Sequence, residues 1–159
     1  MPVKLHPHSS QVKQKALELG FHKVGIASIE GEHGSPRLQA WLALGYHADM
    51  KWMENPKRQD IRLVMPEVRS LICVALNYYT PHQRPEDPKS AKISRYAWGR
   101  DYHKVMHKKL KAFSSWLEAQ GEGIIARYYA DTGPVQDKVW AQRAGIGWIA
   151  KNGNVITPE

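Results

Sequence analysis

The carboxyl best placed for chemistry is that of Asp131, in the turn Asp131-Thr-Gly-Pro134. The turn follows the β-branched and aromatic run Ile124 to Tyr129, which reads as a strand, and the end of a strand is where a scaffold can hold a side chain at its rim. Tyr128, Tyr129 and Trp140 are near in sequence, and a carboxyl whose pKa is raised by apolar neighbours can serve as a proton donor. The plainer role for Asp131 is to cap the helix that begins near Pro134.

Next comes Arg143-Ala-Gly-Ile-Gly-Trp-Ile-Ala-Lys-Asn152, whose two glycines, spaced by one residue, let backbone approach a bulky ligand closely. The dinucleotide-binding fingerprint is not met, because the glycines follow a helix rather than a strand and position 150 is alanine. A helix stop followed by a strand explains them equally. His103 and His107 stand four apart on a helix, the spacing of two zinc ligands, but third and fourth ligands are not apparent and no metal is expected. The other histidines, His6, His8, His22, His33, His47 and His82, form no ligand pattern.

Between Lys89 and Lys111 stand eight cations, Lys89, Lys92, Arg95, Arg100, Lys104, Lys108, Lys109 and Lys111, with Tyr96, Trp98 and Tyr102 among them. Cations alternating with aromatics suit phosphate contact combined with base stacking. A solvated helix face accounts for the later lysines, though not for the three clustered rings.

These residues need elements to hold them. The spacing predicts a first helix capped by Ser9 or Ser10 and stopped at Gly20, then a strand from Lys23 to Ser28. After the turn-rich stretch Glu30 to Ser35, Pro36 suits the first position of a helix that runs to Gly45, and Tyr46 to Met53 reads as short and helical. Asn55 to Arg69 reads as an exposed connection into a strand from Ser70 to Tyr78, and the proline-rich stretch Thr80 to Lys92 as a surface loop. Met106, Leu110, Phe113 and Leu117 mark one buried stripe on a helix from Tyr102 to Gln120, and a short helix runs from Val135 to Arg143. Few strands among several helices give an α+β (α/β sandwich) architecture, and 159 residues suit a single domain.

With 23 Lys and Arg against 15 Asp and Glu, the formal charge of +8 makes a polyanionic partner plausible. The single cysteine, Cys73, excludes an internal disulfide and sits in an apolar run as a small hydrophobe. No apolar run approaches the roughly 20 residues of a membrane span, and no secretory pattern opens the chain. A cytoplasmic location without membrane contact is expected.

In order and spacing, three stretches resemble the signatures of epoxyqueuosine reductases: Ser94-Arg-Tyr-Ala-Trp-Gly-Arg-Asp-Tyr-His103, Asp131-Thr-Gly-Pro-Val135, and Arg143 to Asn152. Leu19-Gly-Phe-His-Lys-Val-Gly-Ile26, Gly45-Tyr-His-Ala-Asp-Met-Lys-Trp-Met53 and Asn55-Pro-Lys-Arg58 resemble the amino-terminal half of the same family. The resemblance implies a nitroreductase-like cobalamin-binding domain over 1–159, with a small mixed sheet flanked by helices. It implies reduction of epoxyqueuosine to queuosine at the wobble position of tRNA, with cobalamin and two four-iron clusters as cofactors and the tRNA anticodon stem-loop as partner. The family's proton donor falls on Asp131, and its cobalamin contacts fall on Arg58, Tyr96, Lys151, Asn152 and Asn154.

The chain departs from the family pattern at Gln136-Asp137, where Leu-Glu is usual, at Ala150, where glycine is usual, and at Gly153, where threonine or a similar residue is usual. The family's ferredoxin-like domain carries eight cysteines, and Cys73 alone cannot hold a cluster. Turnover is therefore expected to need an iron–sulfur domain or a separate iron–sulfur protein. The alternative is a basic tRNA-binding module without catalysis.

Overall fold

The computed structural model describes residues 7–31 and 35–158. His6, His33 and the middle of the Glu30 to Ser35 turn lie outside the described residues. The chain groups into two compact units: Met1–His22 with Leu76–Ala130, and Lys23–Ala75 with Asp131–Glu159.

The first unit is built on two helices, α1 (Ser9–Glu18) and α3 (Tyr102–Glu118). Helix α1 is entered from His8 rather than capped by a serine, because the Gln11 side chain turns back to accept the His8 backbone N–H at 2.9 Å. Its far end stops at Gly20, which takes φ +81, and the Lys109 ammonium donates to the carbonyls of Leu19 and Gly20 at 2.6 and 3.3 Å. Lys109 thus leaves the solvated basic face on which sequence placed it and closes a helix instead. Asp101 caps α3 by accepting from the His103 backbone N–H at 2.9 Å. The expected stripe is inward-facing, and Leu110 and Phe113 are buried with Val12, Ala16 and Phe21.

No strand forms over Ile124 to Tyr129. Side chains of α3 take the backbone groups that a ladder would use. Ser114 Oγ donates to the Ala126 carbonyl at 3.5 Å, and Glu118 Oε1 accepts the Ala126 N–H at 3.2 Å.

The second unit pairs β1 (Lys23–Ser28) antiparallel with β2 (Ser70–Ala75), with Gly25 opposite Cys73. Helix α4 (Asp137–Arg143) packs on this ribbon with Trp140 buried. The contact requires Gly25, because a β-carbon there would stand 2.1 Å from the Ala144 carbonyl oxygen. The strand from Ser70 ends at Ala75, short of Tyr78. Beyond it the Asn77 N–H donates to His22 Nδ1 and the Tyr79 N–H to Asn77 Oδ1, so side chains replace the ladder.

Helix α2 (Pro36–Ala43) begins at the proline, as expected. Tyr46 to Met53 gives turns and then a 3-10 turn at Lys51–Glu54, followed by others at Pro56–Arg58 and Ile61–Leu63. The connection from Asn55 to Arg69 is not wholly exposed, for Ile61 and Val64 are buried. Asn55 and Asp60 cap its short turns by accepting from the Lys57 and Arg62 backbone N–H groups. A final hairpin pairs β3 (Trp148–Ile149) with β4 (Val155–Ile156).

The α+β class holds. Where one mixed sheet was expected, the described residues form two separate antiparallel ribbons, since the run from Ile124 to Tyr129, with both backbone groups of Ala126 bonded to α3, adds no strand.

Candidate active site at the Asp131 turn

Asp131 takes φ +65, a left-handed conformation that Asp tolerates better than most residues with a β-carbon. It does not cap α4, whose N-cap is Gln136, and it is exposed in a turn whose Gly133 is buried. The capping role considered from sequence is therefore set aside: α4 begins at Asp137, too far along the chain for Asp131 to accept its first N–H groups.

The turn is tied to Arg58 from two directions. The Gln136 side-chain amide donates to the Arg58 backbone carbonyl at 2.5 Å, and the Arg58 guanidinium donates to the Gly133 carbonyl at 3.5 Å. The Arg58 guanidinium also lies over the Trp52 ring, 4.6 Å from its centroid. Next to the turn, burial raises the pKa of the Asp137 carboxyl, the charge of Asp131 raises it further, and Arg58 partly offsets both. Two carboxyls and a guanidinium thus influence one another electrostatically at this turn, and the guanidinium suits an anionic or polar edge.

Lys151, Asn152 and Asn154 come together at the exposed tip joining β3 to β4, where Asn152 Oδ1 accepts the Asn154 N–H at 3.1 Å and Ala150 donates to the Asn154 carbonyl at 2.8 Å. Two sequence readings of the glycine pair divide here. Gly145, at φ +76, stops α4, while Gly147 lets β3 meet β4, since a β-carbon there would stand 2.0 Å from the Ile156 carbonyl oxygen. Both glycines answer to the fold. Trp148, Ile149 and Ile156 are nevertheless exposed on this hairpin, and the space beside Gly153 is open. Apolar side chains beside amides and an ammonium suit a large flat ligand with a polar rim. The residues fit a corrinoid in that respect.

Tyr96 belongs to the first unit, on a 3-10 turn, edge-on between Tyr78 and Tyr102 with centroids at 6.3 and 6.1 Å. His103 Nδ1 lies 2.9 Å from Asp101 Oδ1, and His107 is edge-on to Tyr128 at 5.7 Å. No group of three or more metal-ligating side chains occurs among the described residues. Nor is any helix among them long and apolar enough to cross a membrane.

Sequence reasoning missed Trp52 and the pairing of Gln136 with Arg58. The second contact joins segments 78 positions apart, and the first depends on how two successive 3-10 turns fold against each other. Only the departure at Gln136-Asp137 signalled that this part of the turn was unusual.

Comparison with known proteins identifies relatives of this chain. The family model described as "Epoxyqueuosine reductase QueG, DUF1730" matches residues 58–132, from Arg58 through the start of the Asp131 turn. An epoxyqueuosine reductase of Synechocystis is 61% identical over 139 residues, covering 86% of this chain and 48% of the relative. Among solved structures, an epoxyqueuosine reductase from Streptococcus thermophilus matches with a TM-score of 0.76 at 29% identity, over 93% of this chain and 41% of that one. Another was solved with an epoxyqueuosine-modified tRNA-Tyr stem loop, with a TM-score of 0.75, 29% identity, and coverage of 94% and 41%. A third, from Bacillus subtilis, has its catalytic aspartate loop swung out of the active site, with a TM-score of 0.72, 27% identity, and coverage of 94% and 41%.

The fold is that of the matched part of solved epoxyqueuosine reductases. The chain belongs to the epoxyqueuosine reductase family. It spans about half the length of the curated relatives it matches.

Proposed function

We propose that residues 1–159 form the cobalamin- and substrate-binding part of an enzyme that reduces epoxyqueuosine to queuosine at the wobble position of tRNA in the cytoplasm. The observation that carries this reading is the Asp131 turn, an exposed carboxyl in a left-handed conformation, anchored through Gly133 and Gln136 to Arg58. Opening an epoxide to an alkene consumes two electrons and two protons and releases the oxygen as water. Asp131 supplies a proton to the departing oxygen, which as an alkoxide is a poor product near neutral pH. Asp137, which keeps its proton to a higher pH than an ordinary aspartate, is suited to exchange one with Asp131.

Arg58, Tyr96, Lys151, Asn152 and Asn154 are the residues we assign to holding cobalamin, which when bound would supply electrons to the substrate. Arg58 suits a phosphate or amide edge, and the hairpin tip presents an ammonium and two amides. Cys73 is the single cysteine of these 159 residues, so iron–sulfur ligands of the family's kind come from other residues, in the same protein or a partner. The tRNA anticodon stem-loop as partner is supported by the relative solved with such a stem loop.

Cob(II)alamin added to the folded protein should change its visible and paramagnetic spectra, and unchanged spectra would count against the cofactor assignment. In a protein that also carries the iron–sulfur half, Asp131→Ala should abolish epoxide reduction while cobalamin stays bound. Retained turnover would remove Asp131 from its role. Salt-dependent tRNA binding without any corrinoid binding would favour a tRNA-binding module without catalysis, a reading supported by the exposed lysines on α3.

A further inference from the structure

Tyr78 and Tyr79, just beyond the end of β2, are 65% and 68% exposed. Exposed rings side by side serve no core. The surface around them is nonetheless organised. The Arg95 guanidinium lies 5.1 Å from the Tyr79 ring centroid and 5.3 Å from that of Trp98. Trp98 is itself fixed, its indole N–H donating to the Ile93 carbonyl at 3.0 Å. Tyr96 packs against Tyr78 in a T-shaped pair at 6.3 Å, which holds the Tyr78 ring while most of it stays exposed. Lys89 and Lys92, on the adjoining loop, are exposed.

Flat faces held beside a guanidinium, with ammonium groups nearby, match the requirements for unpaired nucleobases on a phosphate backbone: each base stacks on a ring, and each phosphate meets a cation. Along its length duplex RNA offers no free base faces and would gain mainly from the charges. We infer that Tyr78 and Tyr79, set by Arg95 and Trp98, form a stacking platform for unpaired bases of the RNA loop. Recognition of the loop, as distinct from attraction to the stem, then resides on this surface. The inference rests on the tRNA reading above and adds which residues read the single-stranded character of the substrate.

The test compares the intact protein's affinity for an RNA hairpin with an unpaired loop against that for a blunt RNA duplex of equal charge. Replacing both rings (Tyr78→Leu with Tyr79→Leu) should weaken hairpin binding on the order of tenfold or more and leave duplex binding unchanged. The corresponding pair of Phe variants should bind the hairpin as the wild type does, which separates lost stacking from lost folding. Lys89→Gln with Lys92→Gln should weaken both RNAs and flatten the salt dependence. Equal hairpin affinity in the double Leu variant, or an equal loss for hairpin and duplex, overturns the platform. An unmodified hairpin suffices, so the two proposals fail separately. Ring-dependent hairpin binding by a cluster-bearing enzyme that never reduces epoxyqueuosine would sink only the catalytic reading. Full turnover with unaltered hairpin affinity in the double Leu variant would sink only the platform.

Discussion

The side-chain amide of Gln136 donates to the backbone carbonyl of Arg58, joining residues 78 positions apart. Through this bond and that from Arg58 to Gly133, the turn bearing Asp131 is fastened to a 3-10 turn that sequence alone reads as an exposed connection.

Removing this tie should loosen both segments. Gln136→Leu, which installs the family's usual residue, leaves the partly buried Arg58 carbonyl without this donor and should cost about 1–3 kcal/mol. Urea denaturation measures the loss, and amide exchange should quicken over Pro56–Arg58 and the Asp131 turn while α1 and α3 keep their protection.

Asp137 should give stability a distinct pH dependence. Its folded pKa lies above that of an ordinary aspartate, first because the carboxyl is desolvated and then because of the charge of Asp131. The folded state therefore holds this proton more tightly than the unfolded chain. Its contribution is fully present below the unfolded pKa and is lost as pH rises through the folded pKa. Relative to Asp137→Asn, the wild type should lose stability as pH climbs from 3.8, and denaturation at a series of pH values would show parallel curves if this were wrong.

Cys73 should resist modification. Burial, with a smaller contribution from Asp137, pushes its thiol up to about 12, so almost no thiolate exists at pH 8. A thiol reagent should label the half-buried Cys73 slowly in the native protein, for want of thiolate, and rapidly once denaturant is added. Labelling of the native state as fast as that of the denatured chain would contradict this.

Two glycines should tolerate no methyl group. Gly25→Ala and Gly147→Ala drive a β-carbon against the Ala144 and Ile156 carbonyls, and each should cost about 1–3 kcal/mol or more by overpacking. Gly45→Ala meets open space and should lose only the roughly 1–2 kcal/mol of its left-handed backbone at φ +69. Chemical denaturation midpoints for the three variants should order accordingly.

The helices were largely legible because their cause is local. Met106, Leu110, Phe113 and Leu117 recur at helical spacing, and Pro36, Gly20 and Gly45 mark ends that the structure keeps. The run from Ile124 to Tyr129 was misread because β propensity records only suitability for a sheet, and here Ser114 and Glu118 took the backbone groups instead. The burial of Ile61 and Val64 was hidden by surrounding charges and prolines.

The linear chain by itself determined where helices α1 to α4 lie, the placing of Asp131 in a turn after an apolar run, and the motifs that resemble the reductase family. Tertiary structure alone decided that Arg58 is bound to that turn, that Gly25 is needed against Ala144, and that Lys109 closes α1. The physical reason is range: periodicity and turn chemistry act between near neighbours, whereas these contacts form only after distant segments have packed and their backbone groups must find partners.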